Sequence, residues 1–202
     1  MSLCYVDDDE MTAIANAIRS KTGSQLTYKV SQFAIAVGDL RVIQNSISAL
    51  LNRTITSFQS TVSSTTSIRQ YAFAYCHGLI DVNITYATTI NNNVFYMCDN
   101  LKNVNLPAAK TIGASAFNGC ERLSEISLPA ATSIGQYAFY SCIRLNSLRL
   151  PGSTTCTLAN ANALDGTPIA NGEGYIYVPS NKVSTYKAAS GWSTYASRIV
   201  AI

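Results

Sequence analysis

The sequence predicts an α/β repeat protein: a solenoid of 22-residue coils whose short strands align in one parallel sheet, preceded by a small helical segment. Three observations carry that expectation. Residues 67–154 fall into four consecutive registers without a gap: SIRQYAFAYCHGLIDVNITYAT, TINNNVFYMCDNLKNVNLPAAK, TIGASAFNGCERLSEISLPAAT and SIGQYAFYSCIRLNSLRLPGST. Their apolar residues recur in columns, among them Ile68/Ile90/Ile112/Ile134, Phe73/Phe95/Phe117/Phe139 and Cys76/Cys98/Cys120/Cys142. In each register the stretch L-x-x-[VI]-x-[IL] also ends in an apolar–polar alternation, the pattern of a half-buried strand. Repetition at a period of roughly 20–50 residues marks a stacked architecture, because one unit has too few apolar side chains to form a core alone.

Residues 1–53 form the first expected element. Asp8 or Asp9 can cap a helix whose apolar positions Met11, Ile14, Ala15 and Ile18 follow helical spacing, with Arg19 and Lys21 in the last turn and Gly23 beyond it. Ser31 can cap a second helix carrying Phe33, Ala36 and Val37, and Val42–Leu51 is a third helix-like run. Residues 54–202 form the solenoid, with 155–202 as its closing cap. Ile55, Phe58 and Val62 read as an entry strand.

Within each coil, a leucine follows the cysteine by three residues: Leu79, Leu101, Leu123 and Leu145. The strand columns then follow, Val82/Val104/Ile126/Leu148 and Ile84/Leu106/Leu128/Leu150. Pro107, Pro129 and Pro151 end three of the strands, since proline has no donor to continue a ladder. Gly113 and Gly135, with Asn91 in the matching place, point to a backbone position of positive φ. After the repeats, Leu158, Ala163 and Leu164 read as an altered last unit, and Ile176-Tyr177-Val178 as a strand stopped by Pro179. Ser180 or Asn181 is the expected N-cap of a helix through Ala189, with Gly191 as its stop and Ile199–Ile202 as a final strand. Such an end is needed to cover the open sheet.

The units [ST]-I-[GN]-x-x-[AV]-F-x-x-C-x-x-L-x-x-[VI]-x-L-P resemble the BspA-like, treponemal-type leucine-rich repeat. The resemblance implies a right-handed leucine-rich-repeat solenoid with a role in protein binding or cell adhesion. The string MTAIANAIRSKTGSQLTYKVSQFAIAV and the following LLNRTITSF are similar to N-terminal segments of phage and prophage tail-associated proteins of Gram-positive gut bacteria. That second likeness implies an assembly context, with homo-oligomerisation through residues 1–53.

Composition excludes several functions. Charged residues make up 12% of the chain, about half the roughly 25% of an ordinary soluble domain, and there is a single His. A net charge of +3 without a Lys/Arg cluster gives no footprint for nucleic acid or an anionic membrane surface. The longest apolar stretch, Phe33–Val37, is far short of the roughly 20 residues needed to span a bilayer, so no membrane insertion is expected. No secretory leader is legible, because the chain runs from Met1 straight into Asp7-Asp8-Asp9-Glu10. Localisation is therefore left open, with a bacterial surface or a phage particle as the settings the resemblances imply.

No catalytic residue, cofactor site or metal site is expected, and the chain does not read as an enzyme. The four ladder cysteines lack a C-x-x-C pair and share an inward register, where a thiol behaves as a small hydrophobe; Cys4 and Cys156 lie outside it and are expected to be the more reactive. His77 follows Cys76 directly, but neighbouring residues face different ways, and no acid suggests itself to orient the ring. Gly172-x-Gly174 precedes a strand, whereas a dinucleotide loop follows one, so it reads as a turn.

What remains is surface. Outward strand positions form two rows, Asp81/Asn103/Glu125/Ser147 and Asn83/Asn105/Ser127/Arg149. A second set, Tyr71, Tyr75, Tyr96, Tyr137 and Tyr140 with Met97, surrounds the Ala-Phe turn. Tyrosine, serine and asparagine are the residues of adaptable binding surfaces. The expected partner is a protein or a glycan.

Overall fold

The computed structural model describes residues 56–60 and 66–202. The helices expected within residues 1–53, together with Ile55 and Val62, lie outside the described residues.

The strands are β1 (Ser57–Ser60), β2 (Ser67–Ile68), β3 (Asp81–Ile84), β4 (Thr89–Ile90), β5 (Asn103–Asn105), β6 (Thr111–Ile112), β7 (Glu125–Ser127), β8 (Ser133–Ile134), β9 (Ser147–Arg149), β10 (Thr157–Leu158), β11 (Tyr175–Val178) and β12 (Ile199–Ala201). The principal sheet has seven parallel strands in the order β1-β3-β5-β7-β9-β11-β12. This is the parallel sheet that the alternation predicts. A second, narrow ladder of five two-residue strands, β2-β4-β6-β8-β10, runs along another side of the coils. It arises because a second short segment of each coil, such as Thr111-Ile112, runs extended and pairs with its equivalents one coil away, Ile90 against Ile112 and Ile112 against Ile134.

The repeat columns become the core. Ile68, Ile90, Ile112 and Ile134 are buried, as are the Leu79/Leu101/Leu123/Leu145 and Cys columns. The phenylalanine rings stack in file, Phe73 on Phe95 at 5.3 Å, Phe95 on Phe117 at 5.1 Å and Phe117 on Phe139 at 5.3 Å between centroids. Phe58 of β1 starts the file against Phe73 at 4.7 Å. Each such side chain contributes about 1.5–3 kcal/mol when fully buried. Ordering a coil costs about 1–2 kcal/mol per residue, so one coil cannot offset its own entropy and stability has to come from stacking.

The positive-φ expectation at Gly113 and Gly135 is corrected. Neither they nor Asn91 adopt it. Left-handed residues instead recur twice per coil, at Tyr71/Asn93/Ser115/Tyr137 and at Tyr75/Met97/Gly119/Ser141. These residues turn the Ala-Phe segment so that alternate N–H groups point at the next coil. Tyr71, Phe73 and Tyr75 donate to the carbonyls of Asn92, Val94 and Tyr96 at 3.3, 2.9 and 2.7 Å. Gly113 and Gly135 answer a different need, close approach of neighbouring backbones. A Cβ on Gly113 would lie 2.5 Å from the carbonyl carbon of Asn91, and one on Gly135 would lie 2.6 Å from the amide nitrogen of Ala114.

The C-terminal end closes the stack. Strand β11 stops before Pro179, a 3-10 turn at Ser180–Lys182 leads into the helix Val183–Ala188, and a 3-10 segment at Ser193–Arg198 leads into β12. Neither Ser180 nor Asn181 caps the helix. The 3-10 turn follows Pro179, and no side chain bonds the helix's first amides. Gly191 does take a left-handed conformation, with φ +78, in the turn beyond the helix. Two buried aromatics of this end clamp Cys156: the Tyr186 hydroxyl accepts its N–H at 2.8 Å, and the Trp192 indole donates to its carbonyl at 2.7 Å. Tyr195 donates from its hydroxyl to the Ala161 carbonyl.

Candidate functional site

Period-2 alternation puts Val82, Ile126, Leu148 and Ile176 inside and leaves the residues between them facing out. The parallel register turns those outward residues into straight rows. Asp81 lies beside Asn103 and Glu125 beside Ser147, and the first row runs on from Ser147 to Tyr175. In the second row Asn83 lies beside Asn105, Asn105 beside Ser127, Ser127 beside Arg149 and Arg149 beside Tyr177. Side-chain amides bridge successive rungs at one end, where Asn103 Nδ2 donates to Asp81 Oδ1 at 2.6 Å and Asn105 Nδ2 to Asn83 Oδ1 at 2.9 Å.

At the other end the face becomes aromatic and basic. The Arg149 guanidinium lies 4.8 Å from the Tyr177 ring centroid, and that of Arg198 lies 4.1 Å from Tyr175. The two tyrosine rings are 6.3 Å apart. Arg198 is fixed further by a bond from Nε to the Gly174 carbonyl at 2.8 Å. Tyr175, Tyr177 and Arg198 are absent from the sequence-predicted set. The alternation in Tyr175-Ile176-Tyr177-Val178 already places both tyrosines outward, whereas the position of Arg198 depends on β12 pairing with β11.

The tyrosines of the Ala-Phe turns do not gather into one patch. Tyr75 and Tyr96 meet edge to face at 5.4 Å, and Tyr137 meets Tyr140 likewise at 5.6 Å within one coil. Tyr71, Tyr137 and Tyr140 are exposed, while Tyr75, Tyr96 and Met97 are half-buried between coils.

His77 gains a partner that sequence reasoning missed. Its Nδ1 stands 3.1 Å from Asp99 Oδ1, one coil on. Both side chains are exposed, so the pair contributes little to stability. The adjacent Cys76 is buried in the ladder. The five cysteines among the described residues are buried. Burial pushes Cys98, Cys120 and Cys142 well above the ordinary thiol value. The expectation that Cys156 is reactive is corrected: it is buried beneath the C-terminal aromatics and burial raises its pKa to about 12. Cys4 lies outside the described residues. Among the described residues, no group of three or more His, Cys, Asp and Glu side chains is placed to hold a metal ion, and no helix is long and apolar enough to cross a membrane.

Parallel strands at one rung per coil, an Ile/Phe/Cys/Leu core and outward polar rows define a leucine-rich-repeat solenoid. The sequence matches the family described as the BspA type leucine rich repeat region (6 copies) over residues 45–169, and the chain belongs to that family. It is similar to the leucine-rich repeat protein of T. pallidum, with a TM-score of 0.53 and 22% identity over 62% of this chain and 60% of that one. It is also similar to a leucine-rich repeat protein from Bacteroides ovatus, with a TM-score of 0.55 and 25% identity over 73% of this chain. The match spans 36% of the Bacteroides ovatus chain. Comparison with curated proteins gives no match.

Proposed function

We propose that this chain is a non-catalytic recognition or adhesion module that binds a protein or glycan on the outward face of its seven-stranded sheet. The rung-to-rung bonding of that face carries the reading. Asn103 to Asp81 and Asn105 to Asn83 hold polar groups in line at the strand spacing, so a partner meets a surface that is already ordered. Family membership supports a binding role, since stacked repeats create extended surfaces of this kind. The test uses immobilised peptide and glycan arrays probed with the full chain. Asn105→Phe, which removes the amide bond to Asn83 and sets a bulky uncharged ring on the face, is expected to abolish capture, while Tyr140→Ala on the turn side leaves it unchanged. Capture that survives Asn105→Phe refutes the sheet face as the binding surface.

A second reading rests on the likeness of residues 11–37 to phage tail-associated segments. In it, residues 1–53 assemble the chain into a particle component and the solenoid serves as a spacer or host-contact module. Light scattering tests it: a defined oligomer that dissociates on deletion of residues 1–40 supports the assembly role, and a monomeric full chain refutes it.

A further inference from the structure

From the cluster at the C-terminal end of the sheet face, we infer that Arg149, Tyr177, Tyr175 and Arg198 form a carboxylate-reading subsite that takes an Asp or Glu side chain of an extended protein segment. The inference rests on the sheet-face reading and names its partner chemistry. Both guanidiniums lie over tyrosine rings of the face, Arg149 over Tyr177 at 4.8 Å and Arg198 over Tyr175 at 4.1 Å, and Arg198 is held further by the bond from Nε to the Gly174 carbonyl. Among the described residues neither arginine has a carboxylate partner, and the single ion pair there is His77 with Asp99. Two cations on one face with no carboxylate within ion-pair distance keep their charge available to a ligand, and the planar guanidinium fork matches a carboxylate in a bidentate fashion.

The rows beside the cluster decide between acidic partners. A carboxylate needs only the in-plane edge of a guanidinium, and an extended peptide also carries backbone N–H and C=O groups along its length that the Ser147 and Ser127 hydroxyls next to the cluster can bond, which a sugar ring does not. The rows Glu125/Ser147/Tyr175 and Ser127/Arg149/Tyr177 continue without a break into this end, so an extended segment lying along them reaches both arginines.

The full chain is used to probe an array of random 12-residue peptides beside an array of uronic-acid and sialylated glycans. Captured peptides are expected to be enriched in Asp and Glu, and replacing those residues by Asn and Gln lowers their affinity. Arg149→Gln is expected to weaken acidic peptides by about tenfold and to leave their amide analogues unchanged. Arg198→Lys, which keeps charge but loses the fork, weakens them by a smaller factor. The fluorescence of Trp192, buried against Tyr186, verifies that each variant keeps its cap. Binders without acidic enrichment, or acidic binders held equally well by Arg149→Gln, overturn the inference; if Asn105→Phe still abolishes them, the sheet-face reading stands. Binders indifferent to Asn105→Phe overturn both. Arginine-dependent capture of acidic glycans without acidic peptides overturns the protein assignment.

Discussion

The thiol of Cys120 donates a hydrogen bond to the carbonyl oxygen of Phe95, one coil earlier, at 3.2 Å. Cys98 does the same to Phe73 at 2.9 Å and Cys142 to Phe117 at 3.0 Å. These three cysteines are therefore more than small apolar filling, since the thiols of Cys98, Cys120 and Cys142 each tie their coil to the one before. The carbonyl of Phe95 also accepts the Cys98 amide at 3.2 Å, so it keeps a partner when the thiol is removed. Cys120→Ala is accordingly expected to cost about 1 kcal/mol, from a weak bond and a small void rather than an orphaned acceptor. Urea denaturation measures this, and a loss above about 3 kcal/mol would contradict it.

The same burial sets an alkaline limit on stability. Cys156 ionises at about 12 when folded against an ordinary value of 9.0. Below about pH 9 the thiol is neutral in folded and unfolded chains alike; above it the unfolded chain releases the proton and the folded chain retains it, so stability falls as pH rises. The loss runs at about 1.4 kcal/mol per pH unit for each such group until the folded thiol itself titrates near pH 12. Cys98, Cys120 and Cys142 add to the slope in the same direction, and Tyr195, raised to about 12 from 10.0, adds from about pH 10. Denaturation midpoints across this range are expected to drop steeply, and Cys156→Ala to flatten the slope by one proton.

Much of the coil is legible in the sequence because its causes are local and repeated. The Phe95-to-Phe117 stack follows from two letters in one column, and the Asn83–Asn105 row from alternation alone. What is not legible depends on the spacing between coils. Glycine signals either positive φ or close approach, and nothing within one repeat shows that Gly113 sits against the Asn91 backbone while Tyr71 and Ser115 take the left-handed turns. Arg198 reaches Tyr175 only because β12 pairs with β11, a contact between segments outside the repeat.

That distinction is testable at neighbouring positions. Gly113→Ala places a Cβ within 2.6 Å of two backbone atoms of the preceding coil, which cannot yield without parting the ladders. It is expected to destabilise by about 3 kcal/mol or more. Two residues on, Ser115 occupies a left-handed conformation with φ +54 that Asn93 also adopts one coil earlier. Asn tolerates this region better than Ser, so Ser115→Asn is expected to be neutral or to stabilise by about 0.5 kcal/mol. Thermal melts of the two variants should therefore shift in different directions or by very different amounts, and equal shifts would undo the assignment of their roles.

The C-terminal clamp offers the sharpest single-atom test. The backbone of Cys156 sends its N–H to the Tyr186 hydroxyl and receives the Trp192 indole on its carbonyl, and all three residues are buried. Tyr186→Phe removes one oxygen and leaves the Cys156 N–H inside the protein without an acceptor, which costs about 1–3 kcal/mol for an unsatisfied buried donor. Tyr186 also packs edge to face on Trp192 at 5.5 Å, and Phe preserves that contact, so the loss isolates the hydrogen bond. Because the sequence contains one Trp, its fluorescence reports the cap directly. The Tyr186→Phe protein is expected to expose Trp192 at lower urea than the wild type. If the cap stabilises the coils beneath it, the far-ultraviolet transition moves down with the fluorescence; if the cap is an independent appendage, the fluorescence midpoint moves alone. Stacked repeats gain stability from their neighbours, and the clamp grips the coil that contains β10, so coincident transitions are the expected result.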